Sequence, residues 1–150
     1  MNLGTFVVIG NLNSTGIPSS IWNKVAGKTP FKTIRSIVGL TFLVLLTSQV
    51  LGNVAIVVMA KPNIVSLPAA QKELAWAIVG FVATVGGNLT ITGSIANIIL
   101  AEKVARIDPV NSIDFFRHVR VCFLITLFST VAGTLIIVLL SLLLDSQLGL

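Results

Sequence analysis

Apolar and charged positions along this chain fall in long blocks rather than at the spacing of a helix turn. No Asp, Glu, Lys, Arg or His occurs between Arg35 and Lys61, between Glu73 and Glu102, or between Arg120 and Asp145. Each gap exceeds the roughly 20 apolar residues that cross a hydrocarbon core as a helix. A helix on a soluble core would show a charged face every turn or two. The blocks predict membrane segments over 35–61, 71–104 and 112–145. Residues 1–16 read as the end of a truncated helix, with loop formers from Asn11 to Gly16. Residues 17–34 read as a basic interfacial segment, in which Pro18 opens a short helix and Trp22 suits the membrane interface; a basic loop is the competing reading. Lys61-Pro62-Asn63 is expected to end the first block. Ser112 is expected to cap the last helix, with Asp114 in its first turn.

Two of the blocks are interrupted. Across 74–101 an unbroken helix would be about 42 Å long, against a hydrocarbon core of about 30 Å. At its middle, from Gly86 to Ser94, only Leu89 and Ile91 are apolar, and Asn97 follows. Backbone groups in a bilayer must be satisfied internally, so a Gly-Gly-Asn centre is a poor choice for a lipid-facing helix. It reads as a broken helix whose free ends build a binding site, with N–H ends drawing anions and unwound carbonyls drawing cations. The competing reading is tight packing by small residues in a continuous helix. The block 35–61 is interrupted at Thr47-Ser48-Gln49 and Gly52-Asn53. Two geometries fit it: one crossing helix, or a re-entrant hairpin with arms near 36–50 and 54–60 and its tip at Gly52-Asn53. Two interrupted apolar segments together point to a secondary-transporter site.

Composition agrees. Hydrophobic residues make up 55% and charged residues 10%, where soluble domains carry about 25% charged. The net charge of +5 flanks apolar blocks and carries no basic stripe with interleaved aromatics. This favours a lipid partner over nucleic acid. Lys24, Lys28, Lys32 and Arg35 precede the first block; Lys103, Arg106, Arg117 and Arg120 precede the last. A crossing first block puts both clusters on the cytoplasmic side, as the positive-inside rule prefers, whereas a hairpin puts them on opposite sides.

The run Gly86-Gly87-Asn88-Leu89-Thr90-Ile91-Thr92-Gly93-Ser94-Ile95-Ala96-Asn97, continuing to Ala101-Glu102-Lys103, resembles a signature of the ion transporter superfamily. It looks closest to the arsenite-permease and silicon-efflux-like branch of citrate-transporter-like permeases. Thr47-Ser48-Gln49-Val50-Leu51-Gly52-Asn53-Val54-Ala55 resembles the hairpin-tip motif of that family. Gly52 and Ala55 stand where the family usually has Ser and often Pro. The resemblance covers roughly residues 4–145.

It implies an all-α membrane protein: half of an inverted-repeat secondary transporter, with a re-entrant hairpin and a broken transmembrane helix. The chain matches only the C-terminal repeat. The missing N-terminal repeat is then the implied partner, with a homodimer as a further assembly. The resemblance also implies an integral, multi-pass protein of the plasma or inner membrane. The substrate- or ion-binding residues carried over are Ser48, Gly52, Asn53, Gly87, Asn88, Thr90, Thr92, Ser94 and Asn97. The expected cargo is an inorganic or small organic anion, arsenite-, silicate- or carboxylate-like. The expected coupling ion is Na⁺ or H⁺, with Na⁺ held by backbone near Asn53 and Asn88, and no other cofactor. The alternative is a small membrane protein with a structural or assembly role.

The remaining residues add little. Glu102 is the nearest acid to the break and reads as an interface marker before a proton relay. His118 reads as solvated or lipid-facing, Trp76 as an interface anchor, and Cys122 as a packing residue. Thr126, Ser129, Thr130 and Thr134 are expected to bond back to their own helix, and Gly133 to mark a close helix contact. No metalloprotease, nucleophile-elbow or phosphate-loop motif occurs, so no enzyme is expected.

Overall fold

The computed structural model describes residues 2–26, 34–110 and 112–148. Lys28 and Lys32 of the basic segment and Asn111 of the expected loop lie outside the described residues. The described residues form seven α-helices, one 3-10 turn and no strand: α1 (Asn2–Ser14), α2 (Ile17–Ala26), α3 (Ile34–Leu51), α4 (Asn53–Val65), α5 (Ala69–Gly86), η1 (Ile91–Gly93), α6 (Ile95–Ile107) and α7 (Phe115–Leu148). Among them, α3 and Phe115–Leu144 of α7 are long and apolar enough to cross a membrane.

Helix α5 is the centre of the fold. Ala75, Ile78, Val79, Val82 and Ala83 are all fully buried, at the i, i+3, i+4, i+7, i+8 spacing of one helix face. Helices α3, α4 and α7 all pack against it. Continued one turn, the same face reaches Gly86, which is also buried. There the side chain shrinks to nothing and neighbouring groups close in.

Helices α3 and α4 meet at a single residue. The Gly52 amide donates to the Ser48 carbonyl at 3.1 Å, closing α3, and the Gly52 carbonyl accepts from the Ile56 amide at 3.3 Å, opening α4. Gly52 has φ 81 and ψ 160, a region essentially confined to glycine. That is why glycine stands at this joint. The chain reverses there, because Leu43 and Val44 of α3 line one cleft with Met59 and Asn63 of α4. In a straight helix Leu43 and Asn63 would be about 30 Å apart.

Several local expectations shift. Helix α1 runs on through Asn11 and Asn13, and the chain turns only at Gly16, whose φ is 72. Helix α4 passes through Pro62 and ends at Val65, with Ser66 as its C-cap; Pro68 instead opens α5, its carbonyl accepting from the amides of Gln71 and Lys72. Trp22 is buried at 6% exposure in the cleft with Leu43, Val44 and Met59. Trp76 is partly buried against the core. Helix α7 begins at Phe115, and the Asp114 carbonyl, not Ser112, receives its first-turn bond from the His118 amide. Cys122 is a free, half-buried thiol.

Helix α7 is polar where it is buried. Thr126, Thr130 and Thr134 are its buried residues, while Leu124, Phe128, Leu135, Leu139 and Leu143 are exposed. Gly133 faces the core, and a Cβ there would overlap the ring of Phe81, so this glycine does mark a close helix contact. The back-bonding expected of Thr130 and Thr134 is not made; both hydroxyls are buried without a partner among the described residues.

Candidate functional site

The last turn of α3 brings three polar side chains into apolar surroundings, and each finds a partner. The Thr47 hydroxyl donates to the Leu43 carbonyl at 2.6 Å and the Ser48 hydroxyl to the Leu45 carbonyl at 2.8 Å. Such back-bonding satisfies a hydroxyl without leaving the helix. Gln49 does more. Its Nε2 lies 2.9 Å from the Leu45 carbonyl, 2.9 Å from Ser48 Oγ and 2.7 Å from the Gly86 carbonyl of α5. Its Oε1 accepts from the Thr90 hydroxyl at 3.1 Å.

Helical winding of α5 stops at this contact. The Gly87 amide still bonds to Ala83 four residues back, but the amides of Asn88 and Leu89 reach only three residues back, to Val85 and Gly86. Thr90 is extended at φ −129, ψ 161 and Ser94 at φ −141, ψ 135, on either side of η1. Helical bonding resumes when the Ser94 carbonyl accepts from the Asn97 and Ile98 amides.

Glycines let the two interruptions touch. A Cβ on Gly86 would lie 2.8 Å from Ser48 Oγ, and one on Gly87 would lie 2.7 Å from Asn53 Oδ1 and 2.8 Å from its Nδ2. A Cβ on Gly93 would lie 2.7 Å from Gln49 Oε1 and 2.9 Å from the Gly87 carbonyl oxygen. The run both ends α5 and packs tightly, so the close packing holds while the continuous helix of the competing reading does not.

The freed backbone groups are partly satisfied from within. Asn97 Nδ2 donates to the Gly87 carbonyl at 3.1 Å and approaches the Thr90 carbonyl at 3.4 Å. The Gly93 amide donates to the Thr90 hydroxyl at 3.0 Å, and the hydroxyls of Thr90 and Thr92 are 3.1 Å apart. One group is left over: Asn53 Oδ1 is buried without a hydrogen-bond partner among the described residues. An unpaired buried acceptor costs about 1–3 kcal/mol, unless something else occupies it.

Of the residues singled out in the sequence, Ser48, Asn53, Gly87, Thr90, Thr92 and Asn97 come together here. Gly52 serves the joint, and a Cβ on it would meet nothing within 4 Å. Ser94 starts α6 without a side-chain cap bond. Asn88 is exposed, and its carbonyl faces His118 Nε2 of α7 at 3.2 Å, a bond that requires the Nε2–H tautomer. His118 therefore touches the interrupted segment rather than standing apart from it. Glu102 pairs with Arg106 at 2.6 Å, with both side chains exposed. Gln49 is the residue missed in the sequence; its signal was an amide in an otherwise uncharged block, which must find partners when buried.

The site holds no formal charge, since its elements come from the uncharged blocks between Arg35 and Lys61 and between Glu73 and Glu102. Its electrostatics come from helix ends: the carbonyl end of α5, which favours cations, and the N–H end of α6, which favours anions.

Comparison with known proteins bears on what such a site is for. The chain is 34% identical over 125 residues to the silicon efflux transporter LSI3 of Oryza sativa subsp. japonica, covering 77% of this chain and 25% of that protein. It is 35% identical over 77 residues to the putative transporter arsB of Dictyostelium discoideum, covering 51% of this chain and 13% of that protein. The chain thus spans about a quarter of the first relative and less of the second. No family model and no solved structure matches it. Both relatives lie in the ion transporter/arsenite permease family, so the resemblance to that family is borne out. With transporter relatives and two helices of crossing length, the chain is a membrane protein.

Proposed function

We propose that this relative of the arsenite permeases forms part of a multi-pass permease, and that it carries one half of a solute site within the membrane. In this reading α3 and α4 are a re-entrant hairpin with Gly52 at its tip. Helices α5 and α6 are the halves of a broken transmembrane helix, and α7 is a full span. The observation that carries the reading is the contact between the two interruptions: Asn53 lies against Gly87, and Gln49 bridges Gly86 and Thr90. Irregular backbone persists at membrane depth only where it is covered by protein or lines a watery cavity. Helix interruptions of this kind hold solute and coupling ion in secondary transporters.

The solute is an inorganic or small organic anion, arsenite-, silicate- or carboxylate-like. The names of the relatives, silicon efflux transporter and putative arsB transporter, support the first two. The hydroxyls of Thr90 and Thr92 and the N–H end of α6 are the groups that would meet it. Coupling to Na⁺ or H⁺ fits the carbonyl end of α5. The unpartnered oxygen of Asn53 and the backbone near Asn88 would complete a Na⁺ site. No reaction chemistry is assigned to the chain; it acts as a carrier. Its partner is a second, related repeat that supplies the other half of the site, or a second copy of this chain. The hairpin places the two basic clusters on opposite sides of the membrane, against the charge rule. The cleft shared by α3 and α4 supports the hairpin against that count.

The test is transport of silicate and arsenite by the native assembly carrying Asn53→Ala or Asn88→Ala. Both are expected to lose transport at unchanged expression. Full transport in both variants would end this reading.

A further inference from the structure

We infer that Gln49 is a positioning residue: its amide ties α3 to the interrupted segment and orients the hydroxyls of Thr90 and Thr92 toward the solute. The inference deepens the proposed solute site and takes that site as its premise. Gln49 is the most heavily bonded side chain between the two interruptions.

The orientation of its amide is fixed by its partners. The nitrogen faces two carbonyls, Leu45 and Gly86, at 2.9 and 2.7 Å. Carbonyls only accept, so the two amide hydrogens go there. The oxygen faces the Thr90 hydroxyl at 3.1 Å, which must then donate to it. With its one hydrogen so used, Thr90 Oγ1 accepts from the Gly93 amide at 3.0 Å and from the Thr92 hydroxyl at 3.1 Å. A one-way chain results: Thr92 donates to Thr90, Thr90 to Gln49, and Gln49 to the carbonyls of α5 and α3. Thr92 is exposed at its outer end and Gln49 is partly buried at its inner end. The lone pairs left on Thr92 accept from an O–H of the solute, so this end of the chain addresses a hydroxyl of a silicate- or arsenite-like solute rather than a bare anionic oxygen. Gly93 is held against Gln49 Oε1 by the same arrangement, so a shift of the amide moves the whole segment.

A chain of this polarity needs an NH₂ at position 49. Gln49→Glu keeps the shape but removes both hydrogens when ionised, setting a carboxylate against two carbonyls. Protonation returns one donor. The variant should therefore keep part of the tie when its carboxyl is protonated and lose it when the carboxyl is ionised. No titratable side chain lies in α3 after Arg35, in α4 before Lys61, in α5 after Glu73 or in η1. From α7, His118 faces the segment at the Asn88 carbonyl, so it is replaced by Gln in a parallel control.

The experiment is hydrogen–deuterium exchange at residues 87–94 of the full chain in lipid nanodiscs, each variant divided by its parent at the same pH. Gln49→Glu is expected to exchange within about threefold of the parent near pH 5 and about tenfold faster near pH 8. Gln49→Ala is expected to exchange about tenfold faster at both. The acid-restored state of Gln49→Glu shows that the variant folds. Exchange in Gln49→Glu equal to the parent at both pH values, or full protection in Gln49→Ala, would overturn the inference. Silicate and arsenite transport by the native assembly, measured in sealed vesicles, separates the two readings. An exchange pattern as expected with no transport by the unaltered native assembly retains the Gln49 tie and rejects the proposed function. Transport by that assembly with no effect at position 49 does the reverse.

Discussion

Gly93→Ala isolates the close contact between the two interruptions, because it adds one carbon where the structure has no room. Gly93 does not need a left-handed backbone, so the effect is steric. The added Cβ would lie 2.7 Å from Gln49 Oε1, 2.9 Å from the Gly87 carbonyl oxygen and 3.3 Å from the Gly87 carbonyl carbon. Two of these are backbone atoms that cannot rotate away, so the segment must separate from α5. Overpacking of this kind costs about 1–3 kcal/mol, and losing the Gln49–Thr90 bond adds about 0.5–1.5 kcal/mol. Gly80→Ala is the internal control. A Cβ there meets nothing within 4 Å, and replacing a mid-helix glycine by alanine gains about 0.5–1 kcal/mol. The assay is the thermal midpoint in nanodiscs, read from the fluorescence of Trp22 and Trp76. At about 2–4 °C per kcal/mol for a chain of this size, Gly93→Ala should melt well below the parent and Gly80→Ala slightly above it. A Gly93→Ala variant that melts with the parent, while Gly80→Ala behaves as stated, would refute the contact geometry at the site.

Two further outcomes follow from the packing. Gly133→Ala drives a methyl group into the Phe81 ring and should destabilise α7 against α5 by about 1–3 kcal/mol. The same change should cost less in a Phe81→Ala background, and equal costs in both backgrounds would show that the two residues do not meet. Arg106→Ala removes the exposed pair with Glu102 and should leave the midpoint within about 0.5 kcal/mol of the parent, measured in the same assay.

Much of the architecture was legible because lipid imposes a coarse rule on sequence. The three uncharged blocks correspond to α3 with α4, to α5 with η1 and the start of α6, and to α7. The interruptions at Gly52-Asn53 and Gly86–Ser94 were legible for the same reason: polar and glycine residues in such blocks need a cause. The local details were not. Ser112 and Asp114 both suit a helix start, and nothing nearby chooses between them; the start fell at Phe115. Pro62 looked like a stop, yet its fixed φ is compatible with helix and α4 ran on to Val65. Trp22 has an amphipathic ring equally suited to an interface and a cleft, and only the reversal at Gly52 built the cleft that took it. Gln49 was hidden because its partners, Gly86 and Thr90, lie 37 and 41 residues away. No local pattern encodes that distance.

The distribution of polarity ties fold to setting. In water, large apolar side chains are driven inward and hydroxyls stay out. Here α7 does the opposite along most of its length: its buried residues are threonines, and Phe128, Leu135, Leu139 and Leu143 face outward. Hydrocarbon removes the penalty for exposing leucine, so association of helices must come from close packing and polar contacts instead. That is what the α5–α7 seam supplies, with Gly133 under the Phe81 ring. It is also what the α3–α5 seam supplies, with glycines beneath Ser48, Asn53 and Gln49. The same residues that hold the helices together in lipid thus bring the polar groups of the two interruptions into contact. Tightening the seam and gathering those groups are one act of packing.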